Sequence, residues 1–204
     1  MCAMRLVLAT GNAGKLKELR ELLAPLAFEV LPQSQFTAAS AQETGLTFVE
    51  NAILKARHAA KASGLPAIAD DSGLEVDALK GAPGIYSARY AGEHASDEEN
   101  LRKLLDVLHG KPPSQRTARY QCALVFMRSA LDPSPLICQG SWEGRIVSAP
   151  RGSGGFGYDP IFELTDRAVT AAELPAPEKN QISHRGKALR ALVAQLKAIC
   201  PVGY

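Results

Sequence analysis

Asp70 and Asp71 stand side by side between two short apolar runs, Ala67-Ile68-Ala69 and Leu74-Glu75-Val76, with Ser72 and Gly73 directly after them. Apolar runs of this length read as strands, and a Ser-Gly pair reads as a bend. A strand that ends in carboxylates at a bend presents hard oxygen ligands at a sheet edge, a place for Mg²⁺ or for a general base. The plain alternative is a polar turn whose acids are solvated. Neighbouring side chains of an extended strand point to opposite faces, so the two acids are not expected to share one role, and Asp70 is assigned the structural or supporting one.

Basic residues gather where helix patterns begin. Thr10-Gly11-Asn12-Ala13-Gly14-Lys15 follows a buried-strand pattern, Arg5 to Ala9, and leads into a helix with Leu16, Leu19, Leu22 and Leu23 on one face, stopped at Pro25. Free N–H groups at a helix start attract anions, whereas Lys15 and Lys17 in the first turn oppose the helix dipole. A local rule broken in this way points to phosphate binding, with two solvated lysines as the alternative. The stretch is not a P-loop: Gly11 and Lys15 are too close together, and Leu16 stands where a hydroxyl residue is needed. Ser183-His184-Arg185-Gly186-Lys187 opens the last helix in the same manner, with Ser183 as N-cap and three potentially cationic groups in its first turns. Lys55 lies on an Ala-rich helix opened by a Thr47 to Glu50 capping box and ending near Ser63. It shares a face with Asn51, within reach of a phosphate or simply in water.

A Gly-rich stretch runs from Pro150 to Phe162. Gly152, Gly154 and Gly157 spell G-x-G-x-x-G, but Asp159-Pro160 stands where a dinucleotide-binding helix would begin, so that reading is rejected. The glycines let backbone approach a ligand, with Phe156 or Tyr158 available to stack on a base; a tight loop over core aromatics is the alternative.

The elements that must position these residues follow in order. Phe28 to Leu31 is a second strand. Gly81 to Gly92 is a structured loop of a kind that often serves binding. Ser96 to Glu99 is a capping box ahead of a helix with a Leu101, Leu104, Leu105, Leu108 stripe. Arg119 to Met127, Leu136 to Gln139 and Ser141 to Val147 read as strands of an antiparallel meander. Strand-helix alternation followed by a meander argues an α/β fold with a mixed sheet, in two lobes with a cleft.

Composition narrows the function classes. A chain of 204 residues with 46% hydrophobic and 22% charged residues has ample material for a core. Its net charge of +2 gives no general attraction to nucleic acid or to a membrane surface. The first apolar run is far too short to span a membrane, and no signal peptide is expected. Cys2, Cys122, Cys138 and Cys200 form no CxxC pair and read as reduced thiols of a cytoplasmic protein; His58, His94, His109 and His184 lack metal-ligand spacing.

Taken together, TGNAGK (from Thr10), ETGLTFVENAILKA (from Glu43), ADDSGLEVD (from Ala69), GAPGIYSARYAG (from Gly81), GGFGYDPIF and SHRGKAL (from Ser183) resemble the inosine triphosphate pyrophosphatase family, and most closely its bacterial branch. The resemblance covers nearly the whole chain and makes residues 1–204 one two-lobed domain. It implies an elongated mixed sheet flanked by helices, an active-site cleft between two lobes, and a homodimer. It also implies Mg²⁺-dependent hydrolysis of inosine, deoxyinosine and xanthosine triphosphates to monophosphate and pyrophosphate. Carried over residue by residue, Thr10, Gly11, Asn12, Ala13, Gly14 and Lys15 hold the triphosphate, and Lys55 adds a phosphate contact. Glu43 and Asp71 are the metal ligands, Asp71 is also the general base, and Ser72 touches substrate. Phe156, Gly157, Tyr158, Asp159, Lys179, His184 and Arg185 match nucleoside-binding positions. A pyrophosphatase for modified pyrimidine nucleotides and a nucleotide sensor without turnover are the rival readings.

Overall fold

The computed structural model describes residues 5–24 and 28–199. Pro25, the expected helix stop, and Cys2 and Cys200 lie outside these residues. Six strands hydrogen-bond in the order β2-β1-β3-β4-β5-β6: β1 (Arg5–Ala9), β2 (Glu29–Pro32), β3 (Ala67–Val76), β4 (Thr117–Met127), β5 (Leu136–Ile146) and β6 (Phe162–Leu164). β1 is parallel to both β2 and β3, and β5 is antiparallel to β6, so the sheet is mixed as expected. The helices are α1 (Ala13–Leu23), α2 (Phe48–Ser63), α3 (Asp97–Val107), α4 (Ala176–Ile182) and α5 (His184–Ile199). Among the described residues no helix is long and apolar enough to cross a membrane.

The chain divides into two compact units. The first holds residues up to Asp71, Cys122–Gly140 and the chain from Arg185 onward; the second holds Ser72–Gln121 and Ser141–His184. In the first unit the strand alternation sorts two cores. Leu6, Leu8, Ile68, Cys122, Leu124 and Phe126 pack with Leu19 and Leu23 of α1 and Leu189, Leu192 and Leu196 of α5. Val7, Ala9, Ala67, Ala69, Ala123 and Val125 pack with Ala52, Ala56, Ala59 and Ala60 of α2. Small residues on both sides let α2 lie close to the sheet. In the second unit one aromatic-rich core gathers Leu74, Val76, Tyr120, Trp142, Tyr158 and Phe162 with Leu101, Leu104 and Leu108.

Two expectations are corrected. No bend interrupts Asp71-Ser72-Gly73: β3 runs unbroken from Ala67 to Val76, and it lies between β1 and β4 rather than at a sheet edge. The acids can stay in a central strand because each has a cation against it, as described below. Likewise Leu136–Gln139 and Ser141–Val147 are not two strands; Gly140 is spanned by the single strand β5. The predicted caps are present. Ser96 with Glu99 forms the full reciprocal capping box, whereas at α2 only half of the expected Thr47–Glu50 box forms: Thr47 accepts the Glu50 N–H, and the Glu50 carboxylate takes the Leu46 N–H instead.

Candidate active site

Strand parity places the two acids. Asp70 falls on the side of Leu6, Leu8 and Ile68, facing α1 and α5, and Asp71 on the side of Ala67 and Ala69, facing α2. Each face supplies a cation. Asp70 Oδ1 accepts from Lys15 Nζ at 2.6 Å, and Oδ2 from Arg185 Nε at 2.9 Å and from the Cys122 thiol at 3.3 Å. Its side chain is wholly buried. Burial alone would favour the neutral acid, but Arg185 and Lys15 outweigh it and hold the carboxyl well below the usual carboxylate range. Arg185 also pairs with Glu18 of α1.

Asp71 is arranged differently. Its Oδ1 accepts from Lys55 Nζ at 2.6 Å, and Lys55 lies 3.2 Å from Glu43 Oε1. Its Oδ2 is buried and has no hydrogen-bond partner among the described residues. Burial pushes the Asp71 carboxyl above its ordinary value, with Lys55 offsetting only part of the rise. A buried, half-satisfied carboxylate is expensive unless it has a ligand to meet, so Oδ2 is this site's candidate ligand-facing atom.

Glu43 is held in place by the start of α2. Asn51, fully buried, accepts the Gly45 N–H at 2.9 Å, and Glu50 accepts the Leu46 N–H at 2.8 Å. A Cβ at Gly45 would lie 2.6 Å from Glu50 Cβ and 2.8 Å from Asn51 Oδ1. Gly45→Ala is therefore expected to cost about 1–3 kcal/mol, by analogy with other overpacked sites. It should also lower turnover by shifting Glu43 away from Lys55; a thermal melt and an activity assay on the same preparation check this.

The loop before α1 closes on itself. Asn12 N–H donates to Thr10 Oγ1 at 3.1 Å, and the Lys15 N–H donates to Asn12 Oδ1 at 3.0 Å, so Asn12 is the N-cap. The first turn carries no acidic residue. A helix start of this kind, with Gly11 and Asn12 exposed, is suited to an anion. Lys15 is drawn to Asp70, whereas Lys17 is exposed. The same logic answers the basic start of α5: the charge of Arg185 is met by Asp70 and Glu18.

The second unit holds the aromatic set. Asp159 Oδ2 accepts from Lys179 Nζ at 2.8 Å and from the Phe156 N–H at 2.9 Å, and its Oδ1 accepts from the Tyr120 hydroxyl at 3.2 Å. The Lys179 ammonium sits 4.9 Å from the centre of the Phe156 ring. Gly155 has a positive φ of 73°, and a Cβ there would lie 2.0 Å from Asp159 Oδ2, so only glycine lets the loop wrap this carboxylate. The Gly157 N–H donates to Asp97 at 2.7 Å. Tyr158 is buried in the core with its hydroxyl on the Ser87 carbonyl at 2.8 Å, so of the two aromatics only half-buried Phe156 has a ring to offer a base. His184 is buried and stacks on Tyr120, with ring centres 4.6 Å apart and planes 10° from parallel. Ser72 is half-buried on β3.

The predicted residues thus fall into two groups. Thr10–Lys15, Glu43, Lys55, Asp71 and Arg185 belong to the first unit, and Ser72, Phe156–Asp159, Lys179 and His184 to the second. Arg185 is grouped with the phosphate set rather than with Phe156. Tyr120, Glu18 and Cys122 were not anticipated. Glu18 had a signal, since it follows Lys15 at helical spacing on one face of α1; Tyr120 and Cys122, inside an apolar strand pattern, had none.

For a metal, Asp71 Oδ2 and the Glu43 carboxylate are hard oxygen donors. Among the described residues no cluster of three or more acidic, His or Cys side chains forms a cage. Mg²⁺ does not need one: it takes one or two carboxylates and completes its octahedron with water and substrate phosphates. The pair fits an ion that arrives with a nucleotide.

The Ham1 family model matches residues 6–195. The dITP/XTP pyrophosphatase of Vibrio parahaemolyticus is 61% identical over 95% of this chain and 97% of its own. That of Thioalkalivibrio sulfidiphilus is 62% identical over 95% of this chain and 99% of its own. Among solved structures, a HAM1 protein from Coxiella burnetii superposes with a TM-score of 0.88 at 52% identity, covering 96% of this chain and 99% of that one. The nucleoside-triphosphatase / dITP/XTP pyrophosphatase of Mycobacterium abscessus gives 0.75 at 38% identity, covering 97% and 100%.

Proposed function

The chain belongs to the Ham1 family, and from that membership we propose its activity: it hydrolyses the non-standard purine nucleoside triphosphates ITP, dITP and XTP to the monophosphate and pyrophosphate. The reaction clears deaminated purines from the nucleotide pool before they enter DNA or RNA. The observation that carries the chemical reading is Asp71, a buried carboxylate with one oxygen fixed by Lys55 and the other without a partner among the described residues.

The proposed mechanism is in-line attack of water at the α-phosphorus. Glu43 and Asp71 would hold Mg²⁺, which would supply charge neutralisation to the phosphate oxygens. Lys55 locks the plane of the Asp71 carboxylate, which accepts a proton from the attacking water. The Thr10–Lys15 loop binds the phosphates through its backbone, Asn12 and Lys15, and Lys15 and Lys55 stabilise the departing pyrophosphate. No covalent nucleophile is required. Hydrolysis in ¹⁸O-water tests the point of attack. Label in the monophosphate supports attack at the α-phosphorus; label in the pyrophosphate places attack at the β-phosphorus and overturns this mechanism.

Base choice follows from hydrogen bonds. Hypoxanthine and xanthine present a 6-oxo acceptor, and adenine a 6-amino donor. Phe156 stacks on the base, and a donor at the His184-Arg185 step faces position 6. Adenine would leave that donor unpaired, at a cost of ~1–3 kcal/mol per buried group. Working as a homodimer in the cytoplasm completes the reading; a solution mass near twice 21.7 kDa supports the dimer, and a single-chain mass contradicts it.

A further inference from the structure

One carboxylate in this protein serves two cations of different purpose. Oδ1 of Asp70 holds Lys15 and Oδ2 holds Arg185, at 2.6 and 2.9 Å. Arg185 in turn pairs with Glu18, and Glu18 sits three residues after Lys15 on the same face of α1. The four side chains close a ring: Lys15, Asp70, Arg185, Glu18 and back along α1. Two positive and two negative charges balance within it. The Asp70 and Arg185 side chains are 0% and 3% exposed, so neither can exchange its partner for water. The ring's two cations have distinct neighbours in the chain. Lys15 ends the phosphate loop; Arg185 is the second residue of α5 and follows His184 directly.

We infer that Asp70 is a positioning residue that couples the phosphate-holding Lys15 to the His184-Arg185 step that reads the base, so that base identity is felt in turnover as well as in binding. The inference rests on the function proposed above. Members of a buried ionic network are energetically coupled, because moving one cation changes how fully the shared carboxylate is compensated. A base that does not seat the start of α5 alters the hold of Arg185 on Oδ2. That changes the hold of Oδ1 on Lys15, whose ammonium must also meet the phosphates. With the correct base, Arg185 keeps Asp70 compensated and Lys15 keeps its place. The Cys122 thiol, donating to Oδ2, further fixes the carboxylate plane.

A carboxylate that merely stabilised the fold would, when neutralised, lower the rates for all nucleotides by one factor. Coupling predicts unequal factors. The test measures kcat and KM for ITP and ATP with the wild-type chain, Asp70→Asn and Glu18→Gln. Asp70→Asn should reduce the ITP-to-ATP ratio of kcat/KM by about 10- to 100-fold, the scale of a lost charge-assisted hydrogen bond, with the loss mainly in kcat for ITP. Glu18→Gln, which loosens Arg185 while leaving the Lys15–Asp70 pair in place, should reduce the ratio in the same direction. Equal loss on both substrates in the variants overturns the coupling. If Asp70→Asn does not fold, Glu18→Gln decides alone: a reduced ratio supports the coupling and an unchanged one overturns it. A wild-type chain that releases no pyrophosphate from ITP overturns the proposed function and this inference with it, whereas an active wild type with unchanged selectivity in the variants overturns the coupling only.

Discussion

Asp71→Asn is expected to lower kcat for ITP by about 10²- to 10⁴-fold, the range that a positioned general base contributes. The substitution is nearly isosteric. The amide oxygen can still accept from Lys55, and Lys55 keeps Glu43 at 3.2 Å, so no buried charge is left alone. The melting temperature should therefore stay close to that of the wild type while turnover collapses. This separates chemistry from folding, which Asp71→Ala would not do, since it would also empty the space beside Lys55. Steady-state rates with ITP and a thermal melt on the same preparation check both halves. Turnover within a few-fold of wild type would remove Asp71 from the mechanism.

The second large effect is expected at Lys179. Lys179→Met leaves Asp159 buried with the Phe156 N–H and the Tyr120 hydroxyl but without its cation. Breaking a buried pair from one side costs ~3–5 kcal/mol. In a chain of this size that amounts to roughly 6–20 °C of melting temperature. The Phe156 ring also loses the ammonium above it, so KM for ITP should rise as the stacking platform loosens. Adding Asp159→Asn to Lys179→Met removes the uncompensated charge. The double variant should regain most of the melting temperature yet keep the raised KM. Recovery of both would assign the pair to folding alone; recovery of neither would show that the ion pair is not what Lys179 contributes.

Local signals in the sequence were read correctly where neighbouring residues decide the structure. The Ser96–Glu99 box and the Thr47 cap are formed by groups three residues apart, and both are in place. Strand alternation separated Asp70 from Asp71, and the two acids do face different helices. The Ser72-Gly73 bend failed for an instructive reason. Turn chemistry predicts that polar and flexible residues leave a strand, but tertiary cations kept the acids inside one. Lys15 reaches Asp70 across 55 residues of sequence, and Arg185 reaches it across 115. No window-based pattern contains such pairings, which is why the basic starts of α1 and α5 were visible in the sequence but the ionic ring that joins them was not. The Gly-rich loop was half legible. Its glycines are expected to let backbone approach a ligand; the close approach that Gly155 makes is instead to the chain's own Asp159, four residues on. That Tyr158 belongs to the core and Phe156 does not depends on Ser87, 71 residues away from Tyr158.

Product analysis of the purified chain tests the central claim most directly. With Mg²⁺ and, separately, ITP, XTP, ATP and GTP, the monophosphate, pyrophosphate and orthophosphate are measured over time. The account predicts inosine and xanthosine monophosphates with equimolar pyrophosphate, and slow release from ATP, whose 6-amino group leaves the donor unpaired. Orthophosphate with the nucleoside diphosphate would instead place attack at the γ-phosphorus, and would contradict the roles given to Asp71, Lys15 and Lys55.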